Sequence, residues 1–253
     1  MSAEQIKIMD MKKNRKTKAV RIAAALLAVF ILAPAAMIAT PYLGGRGYYI
    51  AGVLIILIAM IPFFAGFEKR RPEARELVMI AVMCAIAVIS RAAFIMLPQV
   101  KPVIGIIIIA GMAFGPGGGF LTGSMTAFVS NFIFGQGPWT PWQMFAYGMA
   151  GFIAGLLARK GIISAEKRIP VTIFSGLLIM IIVGPILDLC TIFTMSSMID
   201  TTSVAAVFAA GVPYNAVLAA ATMVTVLILC KPMMEKLSRI KIKYGMMEED
   251  EAQ

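Results

Sequence analysis

Long apolar segments separated by short polar ones dominate the chain. A helix needs about 20 predominantly apolar residues to cross the hydrocarbon core of a bilayer. By that measure the pattern predicts eight membrane-spanning helices, over residues 22–43, 48–67, 77–96, 100–115, 118–135, 140–158, 171–192 and 205–230. The predicted fold class is therefore an all-α integral membrane protein.

One of these segments, residues 100–115, is short for a membrane span. It ends in a run of glycines and one proline at 115–119, and these are the residues that most strongly interrupt a helix. We expect a tight turn there, with the short helix packed inside the bundle, where incomplete spans are tolerated.

The composition excludes a soluble domain. Hydrophobic residues make up 60% of the chain and charged residues 14%, whereas soluble domains average about 25% charged residues. Histidine is absent, which removes imidazole as a base, a proton relay or a metal ligand. The three cysteines are predicted to be buried small side chains, and no metal site is expected.

The net charge of +10 predicts an orientation in the membrane. Twenty of the 23 Lys and Arg residues lie in alternate segments, and the opposite loops hold only Arg46 and Lys101. The positive-inside rule then places both termini in the cytoplasm. The first apolar run also resembles a secretory signal, but its long basic leader favours a retained helix.

The polar residues divide the chain into three parts. Residues 1–75 comprise the basic leader and two helices that contain almost no polar side chain able to do chemistry. Residues 76–231 form a six-helix core that holds nearly all of the chemically useful polar groups, and residues 232–253 form a cytoplasmic tail. We find no internal repeat of the kind seen in many secondary transporters.

Small residues form stripes on three of the core helices. Ala81, Ala85 and Ala92 share one face of the first core helix, which fits either a docking surface for another membrane protein or packing within the bundle. Two further stripes are interpreted as core packing: Gly119, Gly123, Ala127 and Asn131 on one helix, and Gly148, Gly151 and Gly155 on the next. The amide of Asn131 is expected to point into the bundle.

The segment from Phe134 to Gln143 holds both tryptophans of the chain, together with two prolines, two glycines and two glutamines. Trp139 and Trp142 could belong to an interfacial aromatic belt. The rigid framing and the amides of Gln136 and Gln143 favour instead a site for a large, planar, polar organic ligand.

Three more polar groups are predicted at a similar depth in the membrane. Arg91 is expected roughly 10 Å inside its helix, Asp188 just after a helix break at Gly184-Pro185, and Asn215 near the start of the last helix. Embedded charges are costly and are usually paired or functional, so Arg91 and Asp188 either pair with each other or serve a ligand. Together the groups predict a binding site that opens to the outside.

Two runs carry a resemblance to a known family: FGPGGGFLTG at residues 114–123 and SNFIFGQGPWTPWQM at residues 130–144. Over residues 76–231 the chain resembles the substrate-binding S-components of energy-coupling factor (ECF) transporters. Ala81 and Ala85 match the A-x-x-x-A docking pattern of that family.

The resemblance implies a vitamin-binding subunit in a bacterial cytoplasmic membrane. It would dock through Ala81 and Ala85 on a transmembrane coupling subunit driven by two cytoplasmic ATPases, and it would topple to release its cargo. ATP would be used by the partners, no cofactor would be bound permanently, and the loop at residues 98–102 would cap the site. The candidate substrate-binding residues are Arg91, Asn131, Gln136, Trp139, Trp142, Gln143, Asp188 and Asn215.

Cobalamin or a related corrinoid is the expected cargo, with biotin, pantothenate or a flavin as alternatives. Two other classes of function are a membrane-embedded lipid-modifying enzyme and an assembly subunit that transports nothing. The enzyme is poorly supplied with chemistry, because Asp188 is its one embedded carboxylate and no GxSxG pattern occurs.

Overall fold

The computed structural model describes residues 47–68, 73–195 and 200–245, and the regular structure in these ranges is helical. Seven α-helices follow one another, with a π-helical turn, Ile179–Val183, between the fifth and the sixth. They are α1 Gly47–Glu68, α2 Ala74–Ala93, α3 Val103–Phe134, α4 Trp139–Arg159, α5 Arg168–Leu178, α6 Gly184–Met195 and α7 Thr201–Lys243. The all-α prediction is confirmed, and the predicted span 22–43 lies outside the described residues.

The helix α3 is a hairpin of two arms. At Gly115 φ is 75° and ψ is −176°, which glycine adopts without a steric penalty, and Pro116 has no N–H to continue the helix. The chain reverses so sharply that a Cβ placed on Gly119 would lie 2.7 Å from Cα of Gly111. The tight turn predicted after residue 115 is therefore confirmed.

The first arm of α3 is the interior helix of the bundle. Every residue from Val103 to Met112 is buried. The whole arm, residues 103–114, is only about 18 Å long at 1.5 Å per residue, too short to cross a bilayer core of about 30 Å by itself. The prediction that this short segment packs inside the bundle is confirmed.

Glycines join the α3 hairpin to α4. A Cβ on Gly151 would lie 2.2 Å from the carbonyl oxygen of Gly119, and a Cβ on Gly123 would lie 2.1 Å from that of Tyr147. A side chain at either position would overlap the neighbouring backbone. The interpretation of these two stripes as core packing is confirmed, since small residues are what allow the backbones to approach so closely.

The chain runs helically from Arg168 to Met195. The break predicted at Gly184-Pro185 is wrong, because the π-helical turn Ile179–Val183 precedes it and the helix continues beyond. A wider turn accommodates Pro185, which lacks an N–H and whose ring crowds the preceding turn of a regular α-helix.

The last helix, α7, is much longer than the predicted span 205–230. Its 43 residues extend about 65 Å at 1.5 Å per residue, roughly twice the hydrocarbon thickness. It begins where the Oδ1 of Asp200 accepts a hydrogen bond from the backbone N–H of Ser203 at 2.7 Å. Hydrogen bonding by the side chain of Ser203, and after it by its backbone N–H, lowers the pKa of the Asp200 carboxyl. The predicted tail, residues 232–253, is thus helical as far as Lys243.

Four helical segments of the described ranges are long and apolar enough to cross a membrane: Ala74–Ala93, Val103–Phe134, Arg168–Thr194 and Thr201–Lys243. Within α1, the apolar segment Ile56–Glu68 is shorter than these four. These segments are those of a multi-pass membrane protein, but they do not support a count of eight spans.

The bundle has two poles of different chemistry. At the end that we call the site pole, Nζ of Lys101, which precedes α3, lies 5.4 Å from the ring centroid of Phe134, which ends it. At the opposite end, the basic pole, Nζ of Lys241 donates to the carbonyl oxygen of Ala113 beside the α3 turn. The α3 hairpin therefore directs its open end to one pole and its turn to the other.

Candidate functional site

Arg91 is a buried cation at the end of α2. It lies in the last turn of the helix with 7% of its surface exposed. Its Nη1 donates to Oγ of Ser130 and, at 2.9 Å, to Oδ1 of Asn131. Its Cζ lies 4.3 Å from the ring centroid of Phe134 and 5.8 Å from that of Tyr147. Hydroxyl, amide and aromatic groups thus surround the guanidinium.

The depth predicted for Arg91 is wrong. The helix α2 ends at Ala93 instead of residue 96, so Arg91 lies at the site pole. After α2 ends, a loop leads to α3, and Gln99 in this loop has a φ of 58°. Nζ of Lys101 donates to the carbonyl oxygen of Phe94 at 2.7 Å. This lysine bond satisfies one of the carbonyls left free at the helix end.

Asn131 is the centre of the hydrogen bonds at this pole. Its Oδ1 accepts from Arg91, and its Nδ2 donates to Oγ1 of Thr140 at 3.0 Å and to Oε1 of Gln143 at 2.9 Å. With 1% of its surface exposed, the side chain is fully inside the bundle, as predicted. It connects α2, α3 and α4.

The bonds continue from Thr140 to the surface. Oγ1 of Thr140 donates to Oε1 of Gln136 at 2.9 Å, and Nε2 of Gln136 donates to the carbonyl oxygen of Phe128 at 3.0 Å. We call the connected set the polar network; its members are Arg91, Ser130, Asn131, Gln136, Thr140 and Gln143.

The two tryptophans occupy different environments. Trp142 is 2% exposed and stacks on Phe193 of α6, with ring centroids 5.4 Å apart, and its Nε1 is buried without a hydrogen-bond partner. Trp139 is 40% exposed, and its Nε1 donates to the carbonyl oxygen of Gly135 at 3.2 Å. One ring is therefore in the core and the other on the surface.

Asp188 and Asn215 form a second polar group, between α6 and α7. Nδ2 of Asn215 donates to Oδ2 of Asp188 at 3.0 Å. Two glycines make the room for them: a Cβ on Gly211 would lie 2.4 Å from Oδ1 of Asp188, and one on Gly184 would lie 2.5 Å from Nδ2 of Asn215. Asn215 lies several turns inside α7 and not near its start, because that helix begins at Thr201.

The alternative in which Arg91 and Asp188 pair with each other is wrong. Each has other partners, Ser130 and Asn131 for the arginine and Asn215 for the aspartate. No carboxylate in the described ranges lies within ion-pair distance of Arg91. Arg91 and Asp188 therefore belong to two separate polar groups.

Sequence reasoning missed four residues around Arg91: Ser130, Phe134, Thr140 and Tyr147. Thr140 lies within the segment from Phe134 to Gln143 that was predicted to bind a ligand, so its position could have indicated that it belongs to the site. The contacts of the aromatic rings with Arg91 depend on how α2 approaches α3 and α4, which no spacing along the chain reveals.

A family model described as "ECF-type riboflavin transporter, S component" matches residues 72–235, which is well over half of the chain. The chain belongs to this S-component family. The predicted resemblance is thereby confirmed. Comparisons with curated proteins and with solved structures found no match.

Membership of the S-component family has three consequences. The chain is a component of a membrane vitamin transporter and not an enzyme. It partners with an ECF module, which consists of a T component and ATPases. The prediction of a corrinoid cargo is not supported, because the family is named for riboflavin.

The S-component docking residues predicted on α2 are accessible. Ala81 and Ala85 are exposed, and so are Val78 and Val82 beside them, whereas Met83 on the opposite side is buried. The two alanines therefore lie on the exposed side of α2.

Proposed function

We propose that this S component captures riboflavin at the site pole, on the extracellular face of a bacterial cytoplasmic membrane, for ATP-driven import. The observation that carries the proposal is the polar network, which collects buried polar side chains at one end of an otherwise apolar bundle. The description of the family supports riboflavin as the cargo.

Several groups at or near the site pole still have hydrogen-bonding capacity. Gln143 accepts through Oε1, and no described residue accepts from its amide nitrogen. Nε1 of Trp142 has no hydrogen-bond partner among the described residues. Asp188 accepts through Oδ2, and no described residue donates to its Oδ1. Donors and an acceptor are thus available to a ligand.

These groups suit the chemistry of riboflavin. Its flat ring system carries carbonyl oxygens and an imide N–H, and its side chain carries hydroxyls, so it needs both donors and acceptors. Gln143 and Trp142 would donate to ring carbonyls, and Asp188, oriented by Asn215, would accept from hydroxyls. The exposed ring of Trp139 offers a flat apolar face.

The other polar residues of the site would fix the positions of the side chains that contact the ligand. Arg91, Asn131 and Gln136 are linked by hydrogen bonds across three elements, and this fixes the side chain of Gln143. Binding groups that are held in place lose less conformational entropy when a ligand arrives.

We propose eight spans with both termini in the cytoplasm, which directs the basic pole inward. Arg75 and Lys241 lie at that pole, where they donate to the carbonyl oxygens of Tyr244 and Ala113. The count of eight treats the arms of the α3 hairpin as two helices, the first of which is too short to span the bilayer by itself and is buried in the bundle, and it includes residues 22–43. The distribution of Lys and Arg supports this orientation.

Docking would occur through α2. Ala81 and Ala85 present little side-chain bulk on an exposed face, so a helix of the T component could approach closely. The two ATPases of the module would supply the energy, and the vitamin would be bound as the transported substrate, with no permanent cofactor. Toppling in the membrane would then release it inward.

The test is uptake of radiolabelled riboflavin by a bacterium that cannot make it. The chain is expressed alone, with an ECF module, and with a module whose ATPases are inactivated. We expect uptake only with the active module, and cobalamin should not compete. Uptake of cobalamin in place of riboflavin, or no vitamin uptake with an active module, would reject the proposal.

A further inference from the structure

Two cations share one aromatic ring at the site pole. Cζ of Arg91 lies 4.3 Å from the ring centroid of Phe134, and Nζ of Lys101 lies 5.4 Å from it. We call Arg91 and Lys101 the cation pair. Since both lie close to one ring, they are separated by less than about 10 Å, roughly one Debye length at physiological salt.

The two cations have no carboxylate partner among the described residues, since none of these lies at ion-pair distance from either. Their recorded acceptors are all uncharged: Ser130 and Asn131 for Arg91, and the carbonyl oxygen of Phe94 for Lys101. Burial, and after it the charge of Arg91, lowers the pKa of Lys101.

Both cations retain free donors. Of the five N–H groups of a guanidinium, Arg91 engages only those on Nη1. No described residue accepts a hydrogen bond from its Nε or Nη2. Lys101 uses one of the three N–H groups of its ammonium in the recorded bond to Phe94.

We propose that the cation pair binds an anionic group of the cargo, of the phosphate ester class, so that this subunit selects the phosphorylated vitamin over the neutral one. Charged hydrogen bonds from arginine and lysine to phosphate are short and about twice as strong as neutral ones. Arg91 is 93% buried by its neighbours, so its donors are held in place before the ligand arrives. This inference rests on the proposed function, because it specifies which form of the flavin is held.

The experiment compares two flavins on the purified full chain in dodecyl maltoside. Riboflavin and riboflavin 5′-phosphate are titrated by calorimetry into the wild type, Lys101→Gln, Lys101→Arg and Lys160→Gln. Lys160 is an exposed lysine that caps the far end of α4, so it is the matched control. Elution from a sizing column verifies that every variant is folded.

We expect the phosphate ester to bind at least about tenfold more tightly than riboflavin to the wild type. Lys101→Gln should lower the ratio of the two affinities about tenfold, and Lys101→Arg and Lys160→Gln should preserve it. Equal affinities for the two flavins, or a ratio that Lys101→Gln leaves unchanged, would overturn this inference. Riboflavin binding in the same experiment would still support the proposed function. If neither flavin binds, both fall.

A lipid headgroup offers the same phosphate chemistry, so a second arm distinguishes the source. The titrations are repeated in nanodiscs of phosphatidylglycerol. A preserved preference for the ester supports the cargo as the source. A preference present in detergent and abolished in these nanodiscs would assign the cation pair to lipid phosphate and overturn the inference.

Discussion

Nδ2 of Asn131 donates a 2.9 Å hydrogen bond to Oε1 of Gln143, and this bond determines how the second residue can serve a ligand. Because the amide oxygen of Gln143 is engaged, its amide nitrogen remains as a donor. Asn131 itself is held by Arg91 and Thr140. One buried amide on α3 thus orients a donor on α4.

Asn131→Ala should weaken riboflavin binding by about tenfold or more. The change removes the acceptor for Arg91 and the donor to Gln143, and buried polar groups left without partners cost about 1–3 kcal/mol each. Calorimetric titration of the purified variant measures the effect. Ser175→Ala is the control, since its Oγ donates to the carbonyl oxygen of Thr172 elsewhere in the bundle. Equal affinities of the two variants would contradict a site at the polar network.

Trp142→Phe tests the unpartnered indole N–H. The phenyl ring can keep the contact with Phe193 while the donor is lost, so thermal stability should change little. Riboflavin affinity should fall about fivefold or more, the loss of one hydrogen bond of about 1 kcal/mol. Trp139→Phe should have less effect, because its N–H is already bonded to Gly135. An affinity equal to that of the wild type would remove Trp142 from the site.

Gly151→Ala should destabilise the bundle by about 1–3 kcal/mol or more, the usual cost of overpacking. The new Cβ would lie 2.2 Å from the backbone oxygen of Gly119, which cannot move aside. Gly117→Ala is a matched control, because the nearest atom to its Cβ would be in the side chain of Phe67, at 3.2 Å. Thermal unfolding followed by sizing chromatography compares them. Equal stability would show that the backbones are not in tight contact.

Ala81→Trp combined with Ala85→Trp should abolish uptake and spare riboflavin binding. The two large side chains would block the approach of a T-component helix, and both positions point away from the bundle. Ala216→Trp combined with Ala220→Trp is the matched control, with the same spacing on an exposed face of α7. Normal uptake in the first double variant, or equal loss in both, would reject docking through α2.

The sequence predicted the membrane-spanning helices well, because a helix in contact with lipid must be apolar along its length. Apolar runs of membrane length marked the helices, and the Gly115-Pro116 pair marked the turn of the α3 hairpin, because the backbone at that point excludes a regular helix. The glycine stripes of α3 and α4 also predicted their close approach correctly. In these cases the structure is determined by neighbouring residues or by a periodic pattern, and both can be read from the sequence.

The partners of the embedded polar groups could not be predicted in the same way. Whether Arg91 meets Asp188 or Asn131 depends on which helices pack together, and spacing along the chain does not specify that. The burial of Trp142 against Phe193 likewise depends on the approach of α6 to α4. The continuation of α7 past Pro232 was missed, because its last turns are polar and lack the signature of a membrane span.

The most direct test of the central claim is titration of riboflavin into the purified full chain in detergent, with cyanocobalamin as the comparison ligand. The account predicts saturable binding of one riboflavin per chain, with at least about tenfold weaker binding to Asn131→Ala and none of cyanocobalamin. Absence of riboflavin binding by a folded chain, or riboflavin affinity that Asn131→Ala does not change, would contradict it.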